Sequence, residues 1–557
     1  MKKKIRNLMI VVCSLAAVLC TGILPAANVQ AAQIQEKELE EYIMDGIAKA
    51  HIPGMSISIV NEEKELYCAS FGVSNGTSSD YVLGSVSKSF TAAAIMRMVE
   101  DSELRLEDTV SNYLPQYKEI AEVTIGELLH QTSGIAWDET MDDLKVTDCK
   151  GSFRYSNCNY NVLGEIIEVV SGMSYEEYVS DNILDPLEMT STYSLRENNS
   201  DSNELVTGYQ NYFGFPFVSP MEYDEDENWS QPAAGYMISD VKDMAKYLQM
   251  YLNNGDKVLG KESVEHMLKD TVDASTDSTI AEDMFAKNTR YGMGWVEQEA
   301  YGEKIYYHTG KVESYSAIMA ILPKQKLGIT MLFNSMDFLV GDKILSDFAK
   351  GVISMQMGQE PVKLNANTYF VNHAIIDGVL LAFLLLAWIP IFTMSVWMRR
   401  RKKKVFWIGI VFDVLLHVAL PTVVLLVMPM MFKWFIIRRF VPDIFYSIVV
   451  IVASFYLGGV IKLIAGTYLL LTRKKRKEEG TEAEESRKEQ MITEAVVSEE
   501  KAEKERNSQT EENVKTEETA DSGKAKETVE ETANEKAEIN QKETENPETA
   551  EKNIDRN

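Results

Sequence analysis

The chain has 557 residues, 45% hydrophobic and 25% charged, with a formal net charge of −28, so it is too long for one core and implies at least two physically distinct parts. About half of that negative charge lies beyond Lys477, in a stretch with almost no aromatic or branched apolar residues. The acidic balance therefore says little about the substrate of a folded part, and no basic patch suited to nucleic acid is present.

The basic start MKKKIRN precedes an apolar run from Leu8 to about Leu24 and small residues up to Ala32. This is the pattern of a secretory signal cleaved near Ala31, so residues 1–32 are assigned to export and residue 33 onward to the outside. Lipidation at Cys20 is disfavoured by Leu19, where a lipoprotein signal carries a small residue. An uncleaved signal acting as an extra anchor leaves the same residues outside.

EKELEEYIMDGIAKA, residues 36–50, has apolar residues at helical spacing and is stopped by Pro53 and Gly54. MSISIVN and KELYCASFG, separated by the charged turn EEK, predict a β-hairpin. In YVLGSVSKSFTAAAIMRMVE a helix is expected from Ser85 onward, which sets Ser85 and Lys88 one turn apart on the same side. A serine hydroxyl is a poor nucleophile until a base takes its proton, and a lysine whose pKa is lowered by desolvation or by other cations can be that base. At a helix N-terminus the free backbone N–H groups favour developing negative charge, and the Ser85 N–H can hold an acyl oxyanion.

S-x-x-K alone is common and needs partners. FRYSNCNYNVLGEIIEVVSG supplies Tyr155, Ser156 and Asn157 ahead of an apolar helix. KIYYHTGKVESYSAIMAILPKQKLGITMLFNS supplies His308, Thr309 and Gly310 in strand-like context. The competing reading makes Lys88 a solvated helix residue and Tyr155 a packing aromatic.

The order SxxK, YxN, HTG resembles the serine beta-lactamases and penicillin-binding proteins, specifically the class C beta-lactamase-like branch with its relatives among esterases and D-amino-acid peptidases. LLHQTSGI at residues 128–135 and SQPAAGYMISDVKDMAKYLQMYLN resemble further segments of that family, so the likeness covers about residues 37–357. It implies an α/β (α+β) domain over residues 33–357: an antiparallel sheet built from both chain ends and flanked by helices, with an all-helical lobe from the middle. It also implies that Ser85 attacks a carbonyl to give an acyl-enzyme while Lys88 and Tyr155 share proton transfer, with the base open between those two.

By the same resemblance Asn157 hydrogen-bonds the substrate amide and holds Lys88. His308, Thr309 and Gly310 line an edge strand, and the Lys311 N–H completes the oxyanion hole with that of Ser85. Because backbone donates there, Lys311 can replace the family's usual small residue. His308 stands where beta-lactamases carry lysine, so the cation that grips a beta-lactam carboxylate is missing, which favours peptidase or esterase action over antibiotic hydrolysis. Ser314 replaces a glycine and leaves the pocket's shape open. A non-turnover penicillin-binding or sensor module and a beta-lactamase are the alternatives. No cofactor is implied, and the six histidines form no HExxH or Cys/His metal cluster.

Outside the signal the cysteines are Cys68, Cys149 and Cys158. Cys149 and Cys158 bracket the Tyr155 segment, either as a disulfide that stiffens it or as independent thiols.

Residues 378–397, about 405–432 and about 444–471 are apolar runs long enough to cross roughly 30 Å of hydrocarbon as helices. RRRKKK follows the first and RKKRK the third, whereas the loop between the second and third has only Lys433, Arg438 and Arg439. The positive-inside bias puts both clusters in the cytoplasm and the catalytic region outside. The expected organisation after the hydrolase domain is a linker (358–377), a three-helix membrane region (378–472) and an acidic cytoplasmic tail (473–557). The tail's composition is that of a disordered segment, with a partly helical coil as the alternative and its partner unknown. Three such helices after this domain also resemble the peptidases that remove an N-acyl-D-asparagine cap from exported metabolites. The expected partners are the membrane and a small-molecule, peptide or ester substrate. Within the spans, Asp413 and Lys462 fall at similar depth and are expected to pair, with snorkelling of Lys462 to the interface as the alternative.

Overall fold

A computed structural model describes residues 36–197, 205–221, 229–281, 284–338, 340–403, 407–431 and 433–513, so the expected export signal lies outside the described residues. The chain forms two units, Met1–Gly466 and Thr467–Asn557.

In the first unit, helix α1 (residues 36–49) ends just before Pro53, which has no N–H to continue a helical ladder. Strands β1 (Gly54–Val60) and β2 (Glu65–Gly72) form the expected antiparallel hairpin. Its turn is held locally, because the Asn61 Oδ1 accepts the N–H groups of Glu63 and Lys64 at 2.9 and 2.8 Å. The other strands of the main sheet are β3 (Val272–Asp273), β4 (Arg290–Tyr291), β5 (Val296–Ala300), β6 (Glu303–Lys311), β7 (Ser316–Leu322) and β8 (Leu327–Phe333). Their order is β2-β1-β8-β7-β6-β5-β4-β3. The two ends of the domain therefore meet at the β1/β8 ladder, where Met55 faces Phe333 and Ile59 faces Ile329.

Alternate strand residues point to opposite faces, and β7 shows the consequence. Ile318, Ala320 and Leu322 enter one core, while Ala317, Met319 and Ile321 enter the other. The second core is filled by helices α2 (Ser87–Glu100), α3 (Asn157–Ser171) and α4 (Val241–Leu252), through Phe90, Leu163 and Leu248 among others. The first is closed by Ile43 and Ile47 of α1 with Ile344, Phe348 and Val352 of α5 (Gly341–Gln356). The α/β arrangement, an antiparallel sheet flanked by helices with a helical lobe from mid-chain, is the one expected.

Among the described residues, three helices are long and apolar enough to cross a membrane: α6 (Ala366–Phe392), a second over Gly409–Met430, and a third that begins at Pro442. α6 already starts at Ala366, inside the segment expected to be a linker. The Lys462 Nζ lies 2.7 Å from Asp413 Oδ1, and the Trp397 indole N–H donates to Asp413 Oδ2 at 3.0 Å. The interhelical pair is thus formed, and Lys462, only 8% exposed, does not snorkel away. Helix α7 (Trp434–Phe440) lies between the second and third of these apolar helices.

In the second unit residues 467–513 are helical, where disorder was expected from residue 473. Glu, Lys and Ala are strong helix formers, and i,i+4 pairs such as Lys474–Glu478 (3.8 Å) and Lys488–Glu484 (3.6 Å) support an exposed helix without a core. Residues 514–557 lie outside the described residues.

Candidate active site

Ser85 sits in a single 3-10 turn, Gly84–Val86, that leads into α2. Lys88 follows one turn later with no exposed surface. Its Nζ lies 3.1 Å from Ser85 Oγ, 2.7 Å from Asn157 Oδ1 and 2.6 Å from the carbonyl oxygen of Ala234. Burial lowers the Lys88 pKa well below the ordinary lysine value.

The Ala234 carbonyl is delivered by a small sheet rather than by local sequence. Met237–Ser239 pairs with Tyr81–Val82 immediately before the Ser85 turn. The Leu83 N–H donates to Met237 O at 2.8 Å, and the Met237 N–H donates to Ser87 Oγ at 3.1 Å.

Asn157 is the first residue of α3, so its side chain and the preceding Tyr155 share one support. That support is Gln131, from the LLHQTSGI segment. Its backbone is left-handed (φ 59°) and its side chain is fully buried. The Gln131 carbonyl accepts the Arg154 N–H at 2.8 Å, and its Oε1 accepts the Ser156 N–H at 3.0 Å and an Asn159 amide N–H. The Tyr155 N–H donates to Asp277 Oδ2 at 3.1 Å. These contacts put the Tyr155 ring centroid 4.9 Å from the Lys88 Nζ and 6.3 Å from the rings of both Tyr291 and His308.

β6 brings the third element. It pairs with β7 from Tyr306 to Lys311 and with β5 only from Glu303 to Tyr307, opposite Val296, so it is interior in its first half and reaches the edge expected of it from His308 onward. His308, Thr309, Gly310 and Lys311 run on past the β5 ladder, alongside the Ser85 turn. Here two glycines allow one backbone to lie on another. A Cβ on Gly310 would stand 1.8 Å from Leu83 O, and one on Gly84, whose φ is +55°, would stand 2.3 Å from the Lys311 N. Gly310 therefore serves contact between strand and turn, and the Lys311 backbone N is held beside the residue preceding Ser85. The Lys311 side chain leaves the site and pairs with Asp342 of α5 at 2.7 Å. Ser314, where a glycine was expected, is buried and donates its hydroxyl to Ser219 O at 2.9 Å.

His308 is also buried. Its Nδ1 is 2.7 Å from Thr309 O and its Nε2 3.3 Å from the Tyr291 hydroxyl. Burial first, and the nearby Lys88 second, lower its pKa to about 3, so it is neutral at physiological pH. Cys149 and Cys158 are free thiols, and no disulfide stiffens the Tyr155 segment. The Cys158 thiol instead donates to Glu139 O at 3.1 Å, and burial pushes its pKa up to about 12.

The beta-lactamase family model matches residues 38–350. The chain belongs to the beta-lactamase family. Within that family it is 31% identical over 331 residues to protein flp of Staphylococcus aureus, a match that spans 54% of this chain and 63% of that protein. It is 26% identical over 318 residues to penicillin-binding protein 4 of Amycolatopsis lactamdurans, covering 51% of this chain and 81% of that one. Among solved structures, the octameric penicillin-binding protein homologue from Pyrococcus abyssi is similar with a TM-score of 0.50 at 29% identity, over 60% of this chain and 80% of that one. These likenesses make the domain a beta-lactamase-fold member of the serine hydrolases. The match ends at residue 350, so the three apolar helices lie beyond it.

Proposed function

We propose that the chain is a membrane-anchored serine hydrolase, its catalytic domain outside the cytoplasm, that cleaves amide or ester bonds of cell-envelope or exported substrates through a Ser85 acyl-enzyme. The observation that supports it best is the set of partners around Lys88. A neutral amine has two N–H donors and one lone pair. Asn157 Oδ1 and Ala234 O, at 2.7 and 2.6 Å, take the two N–H groups, which turns the lone pair toward Ser85 Oγ at 3.1 Å. Burial lowers the Lys88 pKa well below the ordinary lysine value, which favours that form.

In this reading Ser85 Oγ attacks the carbonyl carbon as its proton passes to Lys88. The backbone N–H groups of Ser85 and Lys311 hold the oxyanion. The Tyr155 phenol protonates the leaving amine or alkoxide as the C–N or C–O bond breaks, and water then opens the acyl-enzyme by the same route in reverse. Asn157 holds Lys88 and faces the substrate amide, with His308 and Thr309 along the strand that the substrate backbone follows. A neutral His308 offers no fixed positive charge to a beta-lactam carboxylate, which favours a peptidase, D-amino-acid carboxypeptidase or esterase over a beta-lactamase. The anchoring reading rests on the three apolar helices and their basic flanks.

The test is labelling of the full-length protein with a fluorophosphonate, followed by turnover of D-amino-acid amides, D-amino-acid esters and nitrocefin. Labelling at Ser85 that Ser85→Ala abolishes, with turnover of amides or esters, is expected. Labelling without turnover supports the penicillin-binding or sensor reading, and absence of label at Ser85 overturns both.

A further inference from the structure

Two backbone stretches wall the site, residues 311–314 beside the oxyanion position and residues 234–236 behind Lys88. Both meet a third stretch that the reaction scheme does not use. Helix α7, between the second and third spans, is seated on the catalytic domain. Its Phe440 ring lies 5.8 Å from Trp229 and 5.5 Å from Phe338, and the Arg439 carbonyl accepts the Gln210 side-chain amide. The Arg439 guanidinium forms an ion pair with Glu313, with side-chain exposures of only 22% and 12%.

Glu313 lies two residues beyond Lys311, in a turn closed by the Val312 N–H donating to Tyr315 O at 3.0 Å. The Tyr236 hydroxyl reaches Glu313 Oε1 at 3.5 Å, and the Arg439 guanidinium lies 5.8 Å from the Tyr236 ring centroid. Tyr236 in turn is two residues beyond Ala234, the carbonyl that holds Lys88. One ion pair, contributed from the membrane region, thus touches the stretch that carries the oxyanion donor and the stretch that carries the lysine's acceptor.

We propose that Arg439 is a positioning residue for the hydrolytic site, clamping residues 311–314 against residues 234–236 through Glu313 and Tyr236, so that the membrane region completes the site as well as tethering it. The proposal rests on the serine hydrolase reading above. Its physical basis is that removing one member of a largely buried pair leaves an uncompensated charge. Glu313 then moves toward water and carries its turn along. Displacement of a donor by about 1 Å is enough to slow a positioned reaction severalfold to a hundredfold.

The experiment uses the full chain in nanodiscs and the variants Arg439→Gln, Arg439→Lys, Glu313→Gln and the double Glu313→Gln/Arg439→Gln. Amide hydrogen exchange is followed at residues 311–315 and 234–237, together with the rate of Ser85 acylation by a fluorophosphonate. In Arg439→Gln, exchange is expected to quicken in those two stretches and not across the remainder of the sheet, with acylation slowed about tenfold. Arg439→Lys retains most of the rate, and the double variant recovers part of what Arg439→Gln loses, because no unpaired charge is left. Unchanged exchange in both stretches, or a uniform rise over the whole domain, overturns the clamp. If the wild-type chain is not acylated at Ser85, the hydrolase reading falls, while the exchange data still decide whether the clamp exists.

Discussion

The Lys88 Nζ lies 2.6 Å from the carbonyl oxygen of Ala234, a residue 146 positions further along the chain. With Asn157 Oδ1 at 2.7 Å on a second side, the Lys88 nitrogen donates to two oxygens that can only accept. Lys88→Met removes the proposed base and leaves both acceptors facing an apolar side chain. The expected result is a loss of Ser85 acylation of about 10²- to 10⁴-fold, read by stopped-flow reaction with a fluorophosphonate. A variant that acylates at the wild-type rate would exclude Lys88 as the base.

The contact between β6 and the Ser85 turn depends on glycine. In Gly310→Ala the added Cβ meets Leu83 O at 1.8 Å, and neither backbone has a flexible end that can yield. The strand must lift off the turn, carrying the Lys311 N–H with it. Activity is expected to fall to background, and stability by about 1–3 kcal/mol or more, as for overpacking elsewhere. Denaturant midpoints and labelling rates measure the two effects separately, and a Gly310→Ala protein with wild-type values for both would refute the close approach.

His308 sets an acid limb of stability. Its pKa is lowered to about 3 in the folded chain, by burial first and then by Lys88, and is about 6.5 when unfolded. Between these values the unfolded chain binds more protons, so stability rises with pH across this window and falls as pH drops from about 6.5 toward 3. His308→Asn removes this component. The slope of thermal midpoint against pH should be shallower for the variant between pH 3 and 6.5 and unaltered above pH 7. Parallel slopes over the acid range would contradict the burial argument.

Gln131 supports Tyr155 from a distance. Gln131→Leu keeps the volume but strips the acceptor from the Ser156 N–H and the Asn159 amide. Leaving buried donors unpaired costs about 1–3 kcal/mol each. The turnover number is expected to drop more than KM rises, because the phenol and Asn157 are displaced together. Steady-state kinetics on an amide or ester substrate decide it, with equal changes in both parameters counting against the positioning role.

Asp413 and Lys462, 2.7 Å apart on different apolar helices, carry the fifth expectation. Asp413→Asn leaves a lysine without its carboxylate among apolar helices, at a cost of a few kcal/mol. Lower accumulation in the membrane fraction is expected, with partial recovery in Asp413→Asn/Lys462→Leu. Equal accumulation of all forms would remove the pair from any structural role.

The parts of the site that could be read from the chain are those written locally. Ser85 and Lys88 share one helical turn, Tyr155 and Asn157 share one helix start, and His308 through Lys311 share one strand, so spacing alone puts each set on a common side. The acceptor at Ala234 left no such trace, because a backbone carbonyl is the same whatever side chain stands above it. Nor did the Glu313–Arg439 pair, whose members come from a turn in the catalytic domain and from the loop between two spans. The expected edge holds only for His308 to Lys311, because β5 and β4 add to the sheet beyond β6 but their ladder stops at Tyr307. The cysteine spacing suited both a disulfide and two thiols, and only the fold, with Cys158 turned to Glu139, separates them.

The amino-acid sequence by itself determined the order of beta-lactamase-family domain, apolar helices and acidic tail, together with the chemical types in the site. These follow from hydropathy, period and residue identity, which act over a few neighbours at a time. Tertiary structure alone decided that Lys88 donates to two particular oxygens, that burial lowers the His308 pKa, and that the segment between the second and third apolar helices rests on the turn beside Lys311. Each of these depends on burial and on distances of about 3 Å between groups far apart along the chain, and such distances exist only once the sheet has closed around both of its ends.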